Sequence, residues 1–273
     1  RGDRRPAPAR PHSRGGRTMR ALILWFAFFA TVLIPILLLV LFPPWWPIAI
    51  GVMALSHALV LWPTLRPNSQ LLGPVITAFE STSKEVWLTI DDGPTDDTPA
   101  LLDALDARNV KATFFVKGSL CAEHPHLIRL MLARGHAVAN HSQTHPSGAF
   151  WCLPPAAIAR QIDDCNATLT AITAETRRLF RAPVGMKNPF VHPILARHNM
   201  TLIGWSVRGF DSFGDDIERV AQRIVPRVKS GSIIVMHQGR GFSVACVSRV
   251  VDELHGRGYS FVIPELARLK TKR

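Results

Sequence analysis

Residues 84–266 read as one α/β domain built on a parallel sheet, either open and doubly wound or closed into a barrel, behind one or two membrane-spanning segments. Three observations lead there. The chain opens on a basic tail followed by an uninterrupted apolar run. From about residue 84 short apolar runs alternate with amphipathic stretches. Ionisable side chains collect at the ends of the apolar runs, where parallel α/β domains keep their working residues.

The chain has 273 residues, 47% hydrophobic and 19% charged. That composition excludes a disordered polymer, and the length excludes a small disulfide-stapled scaffold. The net charge of +12 invites a nucleic-acid reading until its distribution is inspected. Seven arginines and Asp3 lie in residues 1–20, a net +6, and no basic stripe with interleaved aromatics follows. Residues 1–20 therefore read as a basic, disordered tail held on the cytoplasmic side of a bilayer, and no nucleic-acid partner is expected. Met19-Arg20 stands directly before the apolar run, so Met19 is a candidate start, with residues 1–18 lying upstream of it.

Residues 21–42 hold 22 positions without a charge, and about 20 apolar residues suffice to cross a bilayer as a helix. After Pro43-Pro44 a second apolar segment, 45–62, carries Trp45, Trp46 and Trp62 at its ends like interfacial anchors. Gly51, Ser56 and His57 interrupt it. The membrane region is thus 21–63, with spans at about 21–42 and 45–62, and residues 64–83 read as a linker. Two spans would put the domain in the cytoplasm and one span outside it, so its side stays open.

Seven strands are expected at 86–90, 112–116, 136–140, 179–182, 201–207, 232–237 and 259–263. Helices are expected between them at 99–107, 125–134, 155–172, 189–198, 217–228 and 244–255. Proline at the first helical position and glycine after the last support several of these, as in Thr98-Pro99, Gly135 and Gly256. Residues 267–273 form a basic C-terminal tail.

Four strand ends carry chemistry. The first ends in Asp91-Asp92-Gly93-Pro94, two carboxylates before a sharp turn that a plain surface loop would also use. The third ends in His141 and His145, which a helical turn would place on one face, able to share a cation. The fourth ends in Arg181 and the sixth in His237, polar groups that need partners if buried. Asp211, after the fifth strand, can orient His237 or Arg181, or be a plain loop acid. Two histidines and a carboxylate suit a metal site with an open position, with a second carboxylate and a separate histidine as base and acid for hydrolysis. A non-haem iron oxygenase has the same ligand count but leaves Asp91, Arg181 and His237 without roles.

These segments resemble the motifs of the polysaccharide deacetylase family, carbohydrate esterase family 4, also called the NodB homology domain. Ile90-Asp91-Asp92-Gly93-Pro94, His141-Ser142-Gln143-Thr144-His145, Arg181-Ala182-Pro183-Val184-Gly185 and Val235-Met236-His237 match four of its motifs in order and spacing over roughly residues 81–266. The resemblance implies a distorted (β/α)7 barrel, with the domain at 84–266, in a membrane-anchored bacterial chain. It implies Asp91 as general base, Asp92, His141 and His145 as metal ligands, Arg181 orienting Asp91, and His237 as general acid. Val184 stands where the family supplies an oxyanion N–H, usually from an aromatic residue. Asp211 matches the acid of a D-x-x-D-W segment in which Arg208 and Ser212 replace the first Asp and the Trp. The implied cofactor is a divalent metal, Zn²⁺ first, with Co²⁺, Mn²⁺ or Ni²⁺ as alternatives.

The implied activity is removal of an N-acyl group, N-acetyl above all, from an amino sugar in a polysaccharide or a lipid-linked glycan. Deformylation of a lipid-linked amino sugar and a silent carbohydrate-binding membrane protein are the alternatives. The expected partners are that glycan and the lipid bilayer, at the bacterial inner membrane; nothing in the chain points to a protein partner. Lys187 is placed either to meet an anionic substrate group such as phosphate or to stand as a solvated loop lysine. Cys121, Cys152, Cys165 and Cys246 form no C-x-x-C pair, so a zinc knuckle is not expected.

Overall fold

The computed structural model describes residues 30–214 and 216–271, in two units divided after Trp62. The N-terminal unit contains helix α1 (Ala30–Leu41), a short turn (Pro43–Trp45) and α2 (Trp46–Leu65), which ends just past the division. Pro43–Leu65, 23 residues of mean hydropathy 1.8, is the one helix among the described residues long and apolar enough to cross a membrane. Only the part of the first expected span from residue 30 onward lies within the described residues.

The second unit holds a curled ten-stranded sheet and its helices. Its strands are β1 (Ile76–Phe79), β2 (Glu85–Gly93), β3 (Thr113–Val116), β4 (Ala137–Asn140), β5 (Leu179–Phe180), β6 (Thr201–Leu202), β7 (Val207–Arg208), β8 (Ser232–His237), β9 (Ser260–Phe261) and β10 (Leu269–Thr271). Helices α3 (Thr98–Asp106), α4 (Gly118–Glu123), α5 (Pro125–Ala133), α6 (Pro155–Thr173), α7 (Val191–Arg197), α8 (Ile217–Ile224) and α9 (Ser243–Gly256) connect them. The order is β10-β1-β8-β2-β3-β4-β5-β6, with β7 also beside β8 and β9 beside β2. The curl nearly closes. Ile203, next after β6, bridges Ile76 of β1, and the Gly204 N–H donates to the Ile76 carbonyl at 2.7 Å. The path from β1 to β6 then passes through seven strands, which fits a (β/α)7-like barrel.

The two-residue period of a strand explains how this sheet divides its side chains. On β2, Val86, Leu88 and Ile90 join the apolar layer shared with the helices, and Trp87 joins a second cluster with Phe115, Ala139, Ile203, Trp205, Ile233 and Val235. Continuing that alternation puts Thr89 and Asp91 on the Trp87 face, inside the curl. On β8 the same alternation puts His237 on the face of Ile233 and Val235.

Several expectations change. The stretch 64–83, read as a linker, contains β1, which pairs antiparallel with β8 and β10. The C-terminal tail likewise contributes β10, with Leu269 opposite Phe79. The expected strand at 201–207 breaks into β6 and β7 because the side chain of Asn68 occupies the backbone of Trp205: its Nδ2 donates to the Trp205 carbonyl and its Oδ1 accepts from the Trp205 N–H.

Candidate active site

The parallel pairing of β2 with β3 and β8 sets Asp91 opposite both Phe115 and His237. Asp91 is buried, and its Oδ1 accepts a 2.7 Å bond from Arg181 Nη1. Asp92 would point to the other face in a regular strand. Instead its φ is +76° and the β2–β3 register slips between Asp91 and Gly93, so neighbouring carboxylates serve one site. Positive φ recurs at Ser142, His145, Val184 and Phe210, all in loops after strands. Such sparsely populated backbone conformations collect at working sites.

Arg181 follows β5 and is fully buried. Its Nη1 donates to Asp91 and to the Thr89 hydroxyl (2.8 Å), Nη2 to the Gly204 carbonyl (2.9 Å) and Nε to the Ile203 carbonyl (3.3 Å). The guanidinium also lies 4.1 Å from the Phe115 ring centroid. Burial works to lower its pKa, opposed by Asp91. A cation removed from water is tolerable here because every face meets an acceptor or a ring.

His141 and His145 come together without the helical turn that the sequence suggests. Their loop is instead a tight turn in which Ser142 N–H donates to Asn140 Oδ1 (2.7 Å) and His145 N–H to Ser142 Oγ (3.1 Å). The ring centroids are 4.6 Å apart. His141 Nδ1 lies 2.8 Å from the Arg181 carbonyl, so this nitrogen carries the proton and Nε2 keeps its lone pair. Burial lowers the pKa of both rings, that of His145 to about 4, and neutral imidazole is the form that ligates a metal.

Ligand atoms of Asp92, His141 and His145 all lie within 4.8 Å of one another. Asp92 Oδ1 is buried and accepts no hydrogen bond among the described residues, with His145 Nε2 and Lys117 Nζ each 3.5 Å away. Burial works to raise the Asp92 pKa, and the surrounding His141, His145, Lys117 and His237 lower it overall; with both imidazoles neutral, the standing positive charges are Lys117 and His237. An orphaned carboxylate oxygen beside two neutral imidazoles fits a divalent cation, and a mixed nitrogen and oxygen set is what Zn²⁺ accepts. Nothing in the sequence singles out Lys117. It follows β3 in an ordinary loop, and only the sheet order brings it to Asp92.

Asp211 reaches the end of β8 from the loop after β7. Its Oδ2 accepts from the His237 N–H at 2.7 Å and its Oδ1 from His237 Nδ1 at 3.0 Å. Burial would lower the His237 pKa; the hydrogen bond and charge of Asp211, with Asp91 and Asp92 behind it, raise it overall. Nδ1 is thereby committed, and Nε2 is left as the nitrogen that can give up a proton.

Val184 sits in the 3-10 turn Pro183–Gly185, three residues after Arg181, with φ +56°. Lys187 is neither the substrate-facing nor the solvated lysine that its loop position suggests. It is fully buried, and its ammonium donates to the carbonyls of Arg66 (3.1 Å) and Pro67 (2.8 Å). Neither a substrate anion nor bulk water reaches such a group. Burial pulls its pKa down to about 8. Cys121, Cys165 and Cys246 are buried thiols, and Cys152 is an exposed one.

Comparison with known proteins matches residues 79–203 to the polysaccharide deacetylase family model. A chitooligosaccharide deacetylase of Sinorhizobium fredii is 35% identical over 189 residues, 64% of this chain and 87% of that protein. A peptidoglycan-N-acetylglucosamine deacetylase of Bacillus cereus is 30% identical over 213 residues, 76% of this chain and 99% of that one. Among solved structures, a CE4 family pseudoenzyme from Bacillus anthracis superposes with a TM-score of 0.62 at 26% identity, covering 68% of this chain and 65% of that one.

Proposed function

The chain belongs to the polysaccharide deacetylase family, and on that premise we propose that it hydrolyses the N-acyl group, N-acetyl first, of an amino sugar in a polysaccharide or lipid-linked glycan at the membrane. The observation carrying this reading is one constellation: the Arg181–Asp91 pair beside the Asp92, His141 and His145 triplet, with the Asp211–His237 pair on the adjacent strand end.

Asp92, His141 and His145 would hold a divalent cation, Zn²⁺ before Co²⁺, Mn²⁺ or Ni²⁺. When bound, such an ion polarises an amide carbonyl and lowers the pKa of a water molecule. Asp91 Oδ2 accepts the proton of the attacking water, while Arg181 grips Oδ1 and fixes the carboxylate plane. His237, kept protonated by Asp211, gives its Nε2 proton to the departing amine. The backbone N–H of Val184 serves the developing oxyanion, and an N–H donor survives any change of side chain there.

The helix Pro43–Leu65 supports a membrane anchor, in our reading in the bacterial inner membrane. A domain outside meets wall or secreted polysaccharide; one inside meets lipid-linked amino sugars, where deformylation is the related reaction. The structural likeness to a pseudoenzyme supports a second reading, a silent carbohydrate-binding protein. Against it stands the presence here of the base, the acid and all three ligand residues.

Acetate and formate release decides between them, measured on detergent-solubilised full chain with and without Zn²⁺. The substrates are N-acetylglucosamine oligomers and lipid-linked N-acyl amino sugars, with Asp91→Asn as control. Zn²⁺-dependent release lost in Asp91→Asn supports the hydrolase; no release from any substrate despite one bound Zn²⁺ supports the silent protein.

A further inference from the structure

Residues 64–83 are expected to be a linker, and in the structure residues 64–68, the end of α2 and the segment that follows it, are part of the site's framework. Lys187 N–H donates to the Thr64 carbonyl (3.3 Å), and its ammonium donates to the carbonyls of Arg66 and Pro67. Asn68 brackets Trp205 from both sides of its peptide, at 2.6 Å and 3.4 Å. Little space separates these partners. A Cβ at Gly185 would lie 2.5 Å from the Trp205 ring and 2.6 Å from Pro67 Cβ, and one at Gly204 would lie 2.4 Å from Asn68 Oδ1.

The two loops so held do different work. One runs from Arg181 through Val184 to Lys187. The other supplies the Ile203 and Gly204 carbonyls that receive the Arg181 guanidinium, which in turn grips Asp91. Asp92, His141 and His145 hang from the ends of β2 and β4; their link to these loops is the bond of His141 Nδ1 to the Arg181 carbonyl, at the end of the loop farthest from Lys187.

We infer that residues 64–68 form a strap in which Asn68 and Lys187 are positioning residues, holding the Val184 turn and the carbonyl cradle of Arg181 in register for the acyl-transfer step. This rests on the deacylase reading above. A strap of this kind affects transition-state geometry more than substrate capture or metal binding, because displacing a reacting group by about 1 Å can cost on the order of 10² in rate.

The test uses the full chain in detergent, comparing wild type with Asn68→Ala and Lys187→Met. Acyl release is expressed per folded molecule, with Zn²⁺ stoichiometry and affinity measured alongside. The expected result is a kcat roughly 10- to 100-fold lower, with KM and Zn²⁺ affinity little changed. Wild-type kcat per folded molecule in both variants, with only a lowered Tm, overturns the strap and leaves the deacylase reading standing. Asn68→Asp separates the two bonds: it keeps the acceptor for the Trp205 N–H but loses the donor, and an intermediate kcat is expected. Hydrogen exchange provides an arm that needs no activity. Amides of 184–187 and 203–205 should exchange faster in Asn68→Ala while those of β2 and β3 do not, and unchanged exchange in those loops overturns the strap even if wild type releases no acyl group.

Discussion

Asp211 holds His237 at two points, accepting from its backbone N–H at 2.7 Å and from ring Nδ1 at 3.0 Å, so one carboxylate sets both the position and the charge of the ring. A His whose pKa is raised above 6.5 contributes stability that is complete below that value and lost as pH rises through the folded pKa. The same direction applies to the proposed role of His237 as acid: activity should fall as pH rises and His237 loses its proton. Asp211→Asn removes the charge that raises the pKa, so the alkaline limb of the kcat/KM profile should move to lower pH. A limb that stays in place would mean that another group supplies the proton.

Asp91→Asn should reduce kcat by more than the roughly 10² to 10³ that loss of one oxyanion donor costs in comparable sites. The other carboxylates of the site are already engaged, Asp92 in the group with His141 and His145 and Asp211 on His237. Zn²⁺ binding, measured by equilibrium dialysis, should persist, because Asp91 is outside the ligand triplet.

Arg181→Met addresses stability. Removing one partner of a buried ion pair leaves an uncompensated charge, here Asp91, and costs about 3 to 5 kcal/mol. The carbonyls of Ile203 and Gly204 also lose their donor. Denaturant unfolding of wild type and variant measures the difference, and a loss under about 1 kcal/mol would show that the bonds around Arg181 contribute little.

The triplet makes a prediction about ligand linkage. A cation that binds the folded chain and not the unfolded one raises stability as its free concentration exceeds Kd, by about 2.7 kcal/mol at a hundredfold excess. Added Zn²⁺ should therefore raise the Tm of the wild type. His141→Ala and His145→Ala each remove one of the three proposed ligands and should abolish the rise, and chelation should abolish acyl release with it. A rise that survives in both variants would place the ion elsewhere.

Lys187 ties stability to alkaline pH. Its pKa falls from 10.5 unfolded to about 8 folded, so between those values the unfolded chain binds more protons and stability rises with pH. Below about 8 the buried ammonium is charged in both states and its cost is present in full. The neutral amine has two N–H groups for the two carbonyls of Arg66 and Pro67. The unfolding free energy of wild type relative to Lys187→Met should rise by up to about 3 kcal/mol from pH 8 to 10.5, measured in denaturant. A flat difference would show that the lysine titrates normally.

Much of the site is legible in the sequence. Asp91, Asp92, His141, Arg181 and His237 stand at or next to the ends of apolar runs, and strand ends are where parallel sheets expose functional groups. Other features leave no local signal. β1 is four residues long in a stretch of mixed polar and apolar residues, and it becomes a strand only because β8 and β10 flank it. Lys187 reads as a loop lysine because nothing nearby in the chain reveals that Arg66 and Pro67 will cover it. Lys117 is hidden for the same reason.

Local periodicity and residue type are enough to specify an apolar helix followed by an alternating α/β domain, and to name the side chains that could carry a hydrolytic site. Those features depend on neighbours a few positions apart along the chain. Tertiary structure alone decides that the sheet ends meet at Ile76 and Ile203, and that Arg181 finds its partners on Thr89, Asp91, Ile203 and Gly204. It also decides that Asn68 reaches Trp205 across 137 positions. These contacts follow from strand order and burial, which arise only when distant segments exclude water together.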